Sequence, residues 1–265
     1  MKLTIKSISQ KKGREKIAAL TAYDFPFARI LDEIGMDIIL VGDSLGMVLL
    51  GYQSTVPVTM REMIHHTKAV SRAVKRALVV SDMPFGSYHA SAEHAFRNAK
   101  RLIQEGGADA VKLEGGQAPM AKAAQTLVRG GIPVMGHIGM TPQTASFLGG
   151  YKVQGRGPKE ARKLLEEAQR LEEAGIFSLV LECVPFRLAE QITKKISCPT
   201  IGIGAGPKTD GQILVLHDLL GFEGPVRPRF VRRYAEFEKE AKKAFGRYLA
   251  DVRSGRFPSL RESFE

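Results

Sequence analysis

Short runs of apolar residues recur along the chain, and segments with helical spacing of apolar positions separate them. Apolar runs without polar alternation are typical of strands that are buried on both faces, as in a parallel sheet. Apolar positions between residues 92 and 103 fall on one face of a helix, which predicts an amphipathic helix there. The predicted strands are 17–24, 38–43, 78–82, 110–114, 133–137, 177–182, 199–204 and 213–216.

Seven or eight such strand–helix units without a long linker predict one closed (β/α)8 TIM-type barrel with a C-terminal helical extension. The expected organisation is a single barrel domain over 1–265, with a basic N-terminal segment (1–16), a barrel core (17–224) and a basic C-terminal helical segment (225–265). A final charged helix is expected over 229–252. An open doubly wound sheet is the alternative, but no G-x-G-x-x-G follows the first predicted strand.

The net charge of +11 introduces nucleic acid as a possible partner. The excess lies in the two terminal segments, each with a net charge of +5, which favours a role in solubility or subunit contacts. Because no zinc finger, RNP motif or basic amphipathic helix accompanies it, we expect neither nucleic acid nor a membrane as a partner. The absence of an apolar h-region and the low count of 2 cysteines favour a reducing cytoplasm. A basic barrel that binds RNA through its tails is the non-enzymatic alternative.

Acidic residues stand at the ends of four predicted strands: Asp43, Asp82, Glu114 and Glu182. A charge at the end of a buried strand is costly unless it is paired, bound to a metal or functional. Ligands of parallel α/β proteins bind at the carboxyl ends of the strands. The pattern therefore predicts a small-molecule enzyme with clustered carboxylates.

Asp43 and Asp82 would repel each other at neighbouring strand ends unless a cation lies between them. Oxygen ligands favour Mg²⁺, which takes one or two carboxylates and keeps several waters. Glu114 is a candidate third ligand, directly or through water. The alternative is that these acids cap helices or pair with Lys or Arg.

Lys112 lies two residues before Glu114, so both side chains point to the same face of their strand. Lys112 is expected to hold a substrate carboxylate or a developing enolate, to form a salt bridge with Glu114, or to form a Schiff base. His137 stands between two glycines and is a candidate for proton handling or substrate hydrogen bonding, or is structural. Glu182, partly desolvated, is a candidate acid/base catalyst or one half of a buried ion pair.

Two glycine-rich segments have weaker signals. Residues 201–206 after the seventh strand suit phosphate binding or tight packing near the barrel axis. Residues 149–157 are expected to form a mobile lid or an ordinary loop. Lys152 and Arg156 in this segment are candidates for contact with an anionic tail of the substrate.

Eight stretches in order along residues 3–225 resemble the ketopantoate hydroxymethyltransferase family. They are TAYD (21–24), GDSLG (42–46), DMPF (82–85), KLEGG (112–116), GHIGMTPQ (136–143), the glycine-rich 149–157, LECVP (181–185) and IGIGAG (201–206).

The resemblance implies a Mg²⁺-dependent barrel that assembles into a decamer. It implies transfer of a one-carbon unit from 5,10-methylenetetrahydrofolate to 3-methyl-2-oxobutanoate, the first step of pantothenate synthesis. By that resemblance Asp43, Asp82 and Glu114 are metal-site acids, Asp43, Ser44, Asp82 and Lys112 contact the keto acid, and Glu182 transfers a proton. Two roles are open for Glu182: it removes the C3 proton of the keto acid, or it transfers a proton at the folate nitrogen.

A lyase or mutase of the phosphoenolpyruvate mutase and isocitrate lyase type is the alternative enzyme. It would share the barrel, the metal and an enolate-like intermediate. The K-K-C-G-H stretch expected of that type does not occur in the chain.

Overall fold

The computed structural model describes residues 1–145, 150, 152–222 and 228–265. Residues 149 and 151 of the predicted lid, and the predicted core boundary at 224 and 225, lie outside the described residues. The described chain divides into two compact units, Met1–Val215 and Leu216–Glu265.

The first unit is a closed barrel of eight parallel strands in sequential order, which confirms the predicted fold class. The strand β8 pairs in parallel with β1, with Ile17 opposite Gly211, and so closes the barrel. The strands are β1 (Ile17–Thr21), β2 (Ile38–Val41), β3 (Leu78–Asp82), β4 (Ala110–Glu114), β5 (Val134–Gly139), β6 (Ser178–Glu182), β7 (Thr200–Ile203) and β8 (Gly211–Leu214).

Strand boundaries differ from the predictions where a side chain begins the next element. β1 ends at Thr21 rather than at residue 24, because Asp24 caps the following helix and accepts a hydrogen bond from the Phe27 backbone N–H at 2.9 Å. β8 begins two residues earlier than predicted, because its pairing with β1 starts at Gly211.

Helices connect the strands on the outside of the barrel. A capping box begins the helix that starts at Met60: Thr59 accepts a hydrogen bond from the Glu62 N–H, and the Glu62 carboxylate accepts one from the Thr59 N–H at 2.7 Å. The helices of this unit are α1 (Ile5–Gln10), α2 (Phe25–Glu33), α3 (Leu45–Val48), α4 (Met60–Ala73), α5 (Ala92–Gln104), α6 (Ala118–Arg129), α7 (Pro158–Glu173) and α8 (Phe186–Lys195).

The basic N-terminal segment forms part of the barrel unit, although its charges were expected to lie outside the patterned body. Helix α1 buries Ile8 completely within the hydrophobic core of the barrel. Lys11 pairs with Asp37 at 3.1 Å and Lys12 pairs with Asp210 at 2.9 Å. These lysines therefore neutralise acids at the amino end of the strands.

The second unit contains α9 (Leu216–Leu220) and α10 (Phe237–Arg253). The predicted final helix was wrong at its start, because residues 228–236 form turns and irregular chain. Repulsion among Arg229, Arg232 and Arg233 at helical spacing opposes a helix there. Across the described ranges, no helix combines the length and the apolar character that a membrane crossing requires.

Candidate active site at the carboxyl ends of the strands

The parallel register of the barrel strands brings the predicted site residues together. Asp82 on β3 lies opposite Lys112 on β4, and Glu114 on β4 lies opposite His137 on β5. Paired residues on neighbouring strands point to the same side of the sheet. All four side chains are buried at the same end of the barrel.

Lys112 pairs with Asp82 rather than with Glu114, which corrects the salt bridge considered from the sequence. The Lys112 Nζ lies 3.1 Å from Asp82 Oδ1 and 3.2 Å from His137 Nδ1. Burial opposes the charged form of Lys112, but the charges of Asp82, Glu114 and Asp43 raise its pKa well above the ordinary value. Lys112 is therefore a fixed cation, which does not suit a Schiff base.

Asp43 lies directly after β2 and contacts the same cluster. Its backbone N–H donates to Asp82 Oδ2 at 3.1 Å, and the Gln143 side-chain amide donates to Asp43 Oδ2 at 2.8 Å. Burial, reinforced by the charges of Asp82 and Glu114, raises the pKa of Asp43 well above its usual range. Burial likewise raises the pKa of Asp82, although the Lys112 charge opposes this. The protein's own cations therefore do not fully neutralise this pair of acids.

Ser44 follows Asp43 at the start of α3, and its Oγ lies 2.8 Å from the hydroxyl of buried Tyr23. Gly42 allows this approach, because a Cβ at that position would meet Ser44 Oγ at 2.8 Å. Ser44 therefore lies next to Asp43, at the carboxyl end of β2.

His137 lies between two carboxylates. Its Nδ1 is 3.5 Å from Glu114 Oε1, and its Nε2 is 3.1 Å from Glu182 Oε2. Burial and the Lys112 charge favour the neutral ring, but the two carboxylates outweigh them and raise the pKa of His137 to about 9. In its charged form the His137 ring faces both acids. In its neutral form, with the proton on Nε2, the ring would accept a hydrogen bond from Lys112 at Nδ1 and point its N–H toward Glu182. His137 therefore links Glu182 electrostatically to the Lys112 cluster in either form.

Gln143 and Tyr88 are central to this site, and the sequence reasoning assigned neither a role. The Gln143 side chain also donates to the Met83 carbonyl at 2.9 Å, and its backbone N–H donates to Glu114 Oε2 at 3.1 Å. The Tyr88 hydroxyl donates to Gln143 Oε1 at 2.7 Å and accepts from the Glu114 N–H at 3.1 Å. Gln143 is the last residue of the matched stretch 136–143, and this position is the signal in the sequence that could have identified it.

The donor set at Asp43 and Asp82 suits a hard divalent cation. Asp82 Oδ1 is buried and accepts no hydrogen bond, although it lies in the Lys112 ion pair. The described residues contain no group of three or more His, Cys, Asp or Glu side chains arranged to hold a metal. Glu114 is engaged by His137 and by the Gln143 N–H instead. The residues therefore fit an ion held by two carboxylates and completed by water or substrate oxygens, the arrangement that Mg²⁺ prefers.

The closed parallel barrel and the cluster of buried charged side chains at the carboxyl ends of its strands place the protein in the class of TIM-barrel enzymes, whose active sites lie at that end. The family model described as ketopantoate hydroxymethyltransferase matches residues 2–260. The chain belongs to the ketopantoate hydroxymethyltransferase family.

Curated relatives agree with this assignment. A protein of Thermoanaerobacter sp. (strain X514), named 3-methyl-2-oxobutanoate hydroxymethyltransferase, is 59% identical over 255 residues, which are 96% of this chain and 92% of the relative. A protein of the same name from Thermus thermophilus is 53% identical over 264 residues and covers 100% of both chains.

Solved structures with low identity share the fold. A phosphonopyruvate hydrolase in complex with oxalate and Mg²⁺ matches with a TM-score of 0.62 at 12% identity, covering 98% of this chain and 93% of that one. A 2,3-dimethylmalate lyase of the phosphoenolpyruvate mutase/isocitrate lyase superfamily matches with a TM-score of 0.60 at 14% identity, covering 100% and 93%. At these identities the likeness concerns the fold alone.

Proposed function

We propose that this chain transfers a hydroxymethyl unit from 5,10-methylenetetrahydrofolate to 3-methyl-2-oxobutanoate and so forms 2-dehydropantoate, the first step of pantothenate biosynthesis. The observation that carries the proposal is the family match over residues 2–260. The pairing of Lys112 with Asp82 and of Glu182 with His137 at the barrel mouth supports it.

The keto acid is held by the chain's fixed charges. Lys112 attracts the anionic carboxylate and keto oxygen, and Ser44 donates a hydroxyl hydrogen bond. Asp43 and Asp82 would hold Mg²⁺, and Glu114 would contribute through water. A bound divalent cation withdraws electron density from a 2-oxo acid and makes its C3–H easier to ionise. Gln143 keeps Asp43 in place through its 2.8 Å hydrogen bond.

Glu182 moves the proton of the reaction, at C3 of the oxo acid or at the folate nitrogen. Its carboxylate lies beside His137, with 3.1 Å between Glu182 Oε2 and His137 Nε2. Only 12% of the Glu182 side chain is exposed, which limits access of bulk water to the transferred proton.

The assembly and the compartment belong to the same proposal. We propose one barrel domain with a C-terminal helical segment, assembled as a homodecamer in a reducing cytoplasm, with no nucleic acid or membrane partner. Phe245, Tyr248 and Leu249 on α10 are exposed large apolar side chains, which suits subunit contacts. Both cysteines, Cys183 and Cys198, are free thiols, which suits a reducing compartment.

Product formation tests the activity. Purified protein with 3-methyl-2-oxobutanoate, 5,10-methylenetetrahydrofolate and Mg²⁺ should form 2-dehydropantoate, and a chelator should abolish it. Release of pyruvate or glyoxylate from lyase substrates, without transfer of the one-carbon unit, would contradict the proposal and favour the lyase type.

Replacement of one carboxylate tests the metal site. Asp82→Asn should weaken Mg²⁺ binding measured by calorimetry and lower kcat/KM by about 10²-fold or more. The matched control is Asp251→Asn on α10, which removes a partly exposed acid and should leave both quantities unchanged. Wild-type Mg²⁺ affinity in Asp82→Asn would remove Asp82 from the ligand set.

A further inference from the structure

A cavity of about 360 Å³ lies beside the acid cluster, and none of the roles proposed above uses it. Glu114 lines it at the end nearest the acid cluster, and the side chains of Met120, Ile138 and Leu164 supply apolar surface. Gln117 and Glu167 line it as well. The volume falls at the small end of the range of natural ligand pockets, which begins at about 300 Å³.

Glu167 is the unusual member of this lining. It lies on the buried face of α7, which it shares with Leu164, Ala168 and Leu171, and it is only 4% exposed. The backbone turn of the neighbouring loop packs directly on it, because a Cβ at Gly116 would meet Glu167 Cα at 3.1 Å. The Gly116 carbonyl in turn accepts a hydrogen bond from Arg170 Nη1 at 2.8 Å. The fold therefore holds this carboxyl firmly in place.

The polar partners of Glu167 reach only one of its two oxygens. Gln117 Nε2 donates to Oε1 at 3.0 Å, and the exposed Lys163 has its Nζ 3.8 Å from the same atom. Burial raises the pKa of this carboxyl despite these contacts. The second oxygen, Oε2, is therefore available to a hydrogen-bond donor that enters the cavity. A ligand with N–H groups supplies such a donor.

We propose that this cavity binds the reduced pteridine ring of the one-carbon donor, with the Glu167 carboxylate accepting hydrogen bonds from the adjacent ring N–H and amino groups. The inference rests on the proposed function, which requires a tetrahydrofolate co-substrate.

The ring chemistry matches the lining group by group. Two neighbouring N–H donors on a planar edge fit one carboxylate, as in bidentate recognition by a fork of donors. The Gln117 amide beside Glu167 offers an acceptor for a further ring donor, and Met120, Ile138 and Leu164 cover the ring faces. Because Glu114 borders both the cavity and the acid cluster, a ring seated here has its reactive edge toward the keto acid. The exposed Lys163 also lines the cavity, and its positive charge suits the anionic tail of the folate co-substrate.

Two binding titrations test the site. Tetrahydrofolate is titrated into the protein by calorimetry, and 3-methyl-2-oxobutanoate is titrated separately in the presence of Mg²⁺. Glu167→Gln should weaken tetrahydrofolate binding and raise KM for the methylene donor by about tenfold or more, the loss expected for one charged hydrogen-bond acceptor. Keto acid affinity should change by less than about twofold, since Glu167 contacts none of the acid cluster.

Two further variants keep the test decisive. Glu166→Gln removes the exposed neighbour on the same helix, which pairs with Arg162, and should bind both ligands as wild type does. Met120→Trp fills the cavity from another element and should also block tetrahydrofolate selectively, so the site can be judged even if Glu167→Gln is unstable to heat.

The outcomes separate the two proposals. The pteridine site would be overturned if Glu167→Gln and Met120→Trp both bind tetrahydrofolate as wild type does. The proposed function would stay intact in that case, provided that the wild-type protein makes 2-dehydropantoate. Wild-type protein that transfers no hydroxymethyl unit would overturn the function itself.

Discussion

Acidic side chains lie at both ends of the barrel strands, and their partners differ. At the amino end, Asp37, Asp109 and Asp210 each stand one residue before a strand and accept a backbone N–H from the adjacent strand, from Ala18, Val79 and Thr200 respectively. At the carboxyl end, Asp43 and Asp82 lie against each other and against Glu114, with Lys112 as the nearest cation.

Asp210 at the amino end and Asp43 at the carboxyl end have pKa values that are shifted in opposite directions. Burial opposes ionisation of Asp210, but the Thr200 N–H and Lys12 lower its pKa. Burial and like charges raise the pKa of Asp43. Acids of the first kind stabilise the fold, whereas acids of the second kind lower stability and persist where binding requires them.

The largest effect is expected from Glu182→Gln. Loss of the proton-transfer group should lower kcat by about 10³-fold and leave the midpoint of thermal unfolding close to wild type. Steady-state kinetics and circular dichroism check the two parts. Glu190→Gln, a partly exposed acid on the following helix, is the control. A kcat within threefold of wild type would exclude Glu182 from proton transfer.

Asp210→Asn should show the opposite pattern. The variant loses a charged acceptor for the Thr200 N–H at 2.9 Å and strands Lys12, so the free energy of unfolding should fall by about 2 kcal/mol. The kcat of the folded variant should stay within about twofold of wild type, because the site lies at the other end of the barrel. Urea unfolding measures the first quantity. Unchanged stability would remove the distinction between the two ends.

Asp43→Asn should raise the stability of metal-free protein by about 1 kcal/mol while it lowers Mg²⁺-dependent activity. Asparagine keeps an oxygen for the Gln143 amide and removes a charge that Asp82 and Glu114 repel. Urea unfolding in the presence of a chelator measures the gain. A loss of stability would show that the Asp43 charge is well compensated without a metal.

The smallest effect is a pH dependence with opposite signs at the two ends. The raised pKa of Asp43 means that its penalty is present at neutral pH and is relieved as pH falls toward its ordinary value of 3.8. The lowered pKa of Asp210 means that its contribution is present above 3.8 and is lost as pH falls below it. Metal-free protein should therefore be most stable in mildly acidic buffer. As pH falls from neutral, the free energy of unfolding should first rise and then fall. Asp43→Asn should reduce the rise, and Asp210→Asn should reduce the fall. Urea unfolding curves recorded across this pH range measure both.

Much of the barrel could be predicted from the apolar runs. The bounds of Leu78–Asp82 and Ala110–Glu114 agree with the prediction, because these strands are buried along their whole length and most of their residues before the terminal acid are apolar. Helix α1 was not predicted, since it has six residues and its one buried side chain, Ile8, gives no periodicity.

The site was partly predictable, because the strand ends collect the acids regardless of the details of packing. The partner of Lys112 was not, since strand register, and not spacing along one strand, places Asp82 beside it. The acids at the amino end were overlooked because their partners are backbone N–H groups, which leave no trace in the residue types, and lysines of the N-terminal segment, which the strand pattern does not connect to them. Asp directly before an apolar run, as at Asp37, Asp109 and Asp210, is the signal that was available.

The ion pair between Lys12 and Asp210 joins residues 198 positions apart. During synthesis, the partner strand and the countercharge for this N-terminal segment both arrive only after some 200 residues have been made. Until then the edge of β1 lacks its second neighbour and is open to pairing with other chains. Nascent chains of this protein are therefore expected to depend on protection from aggregation until translation is nearly complete.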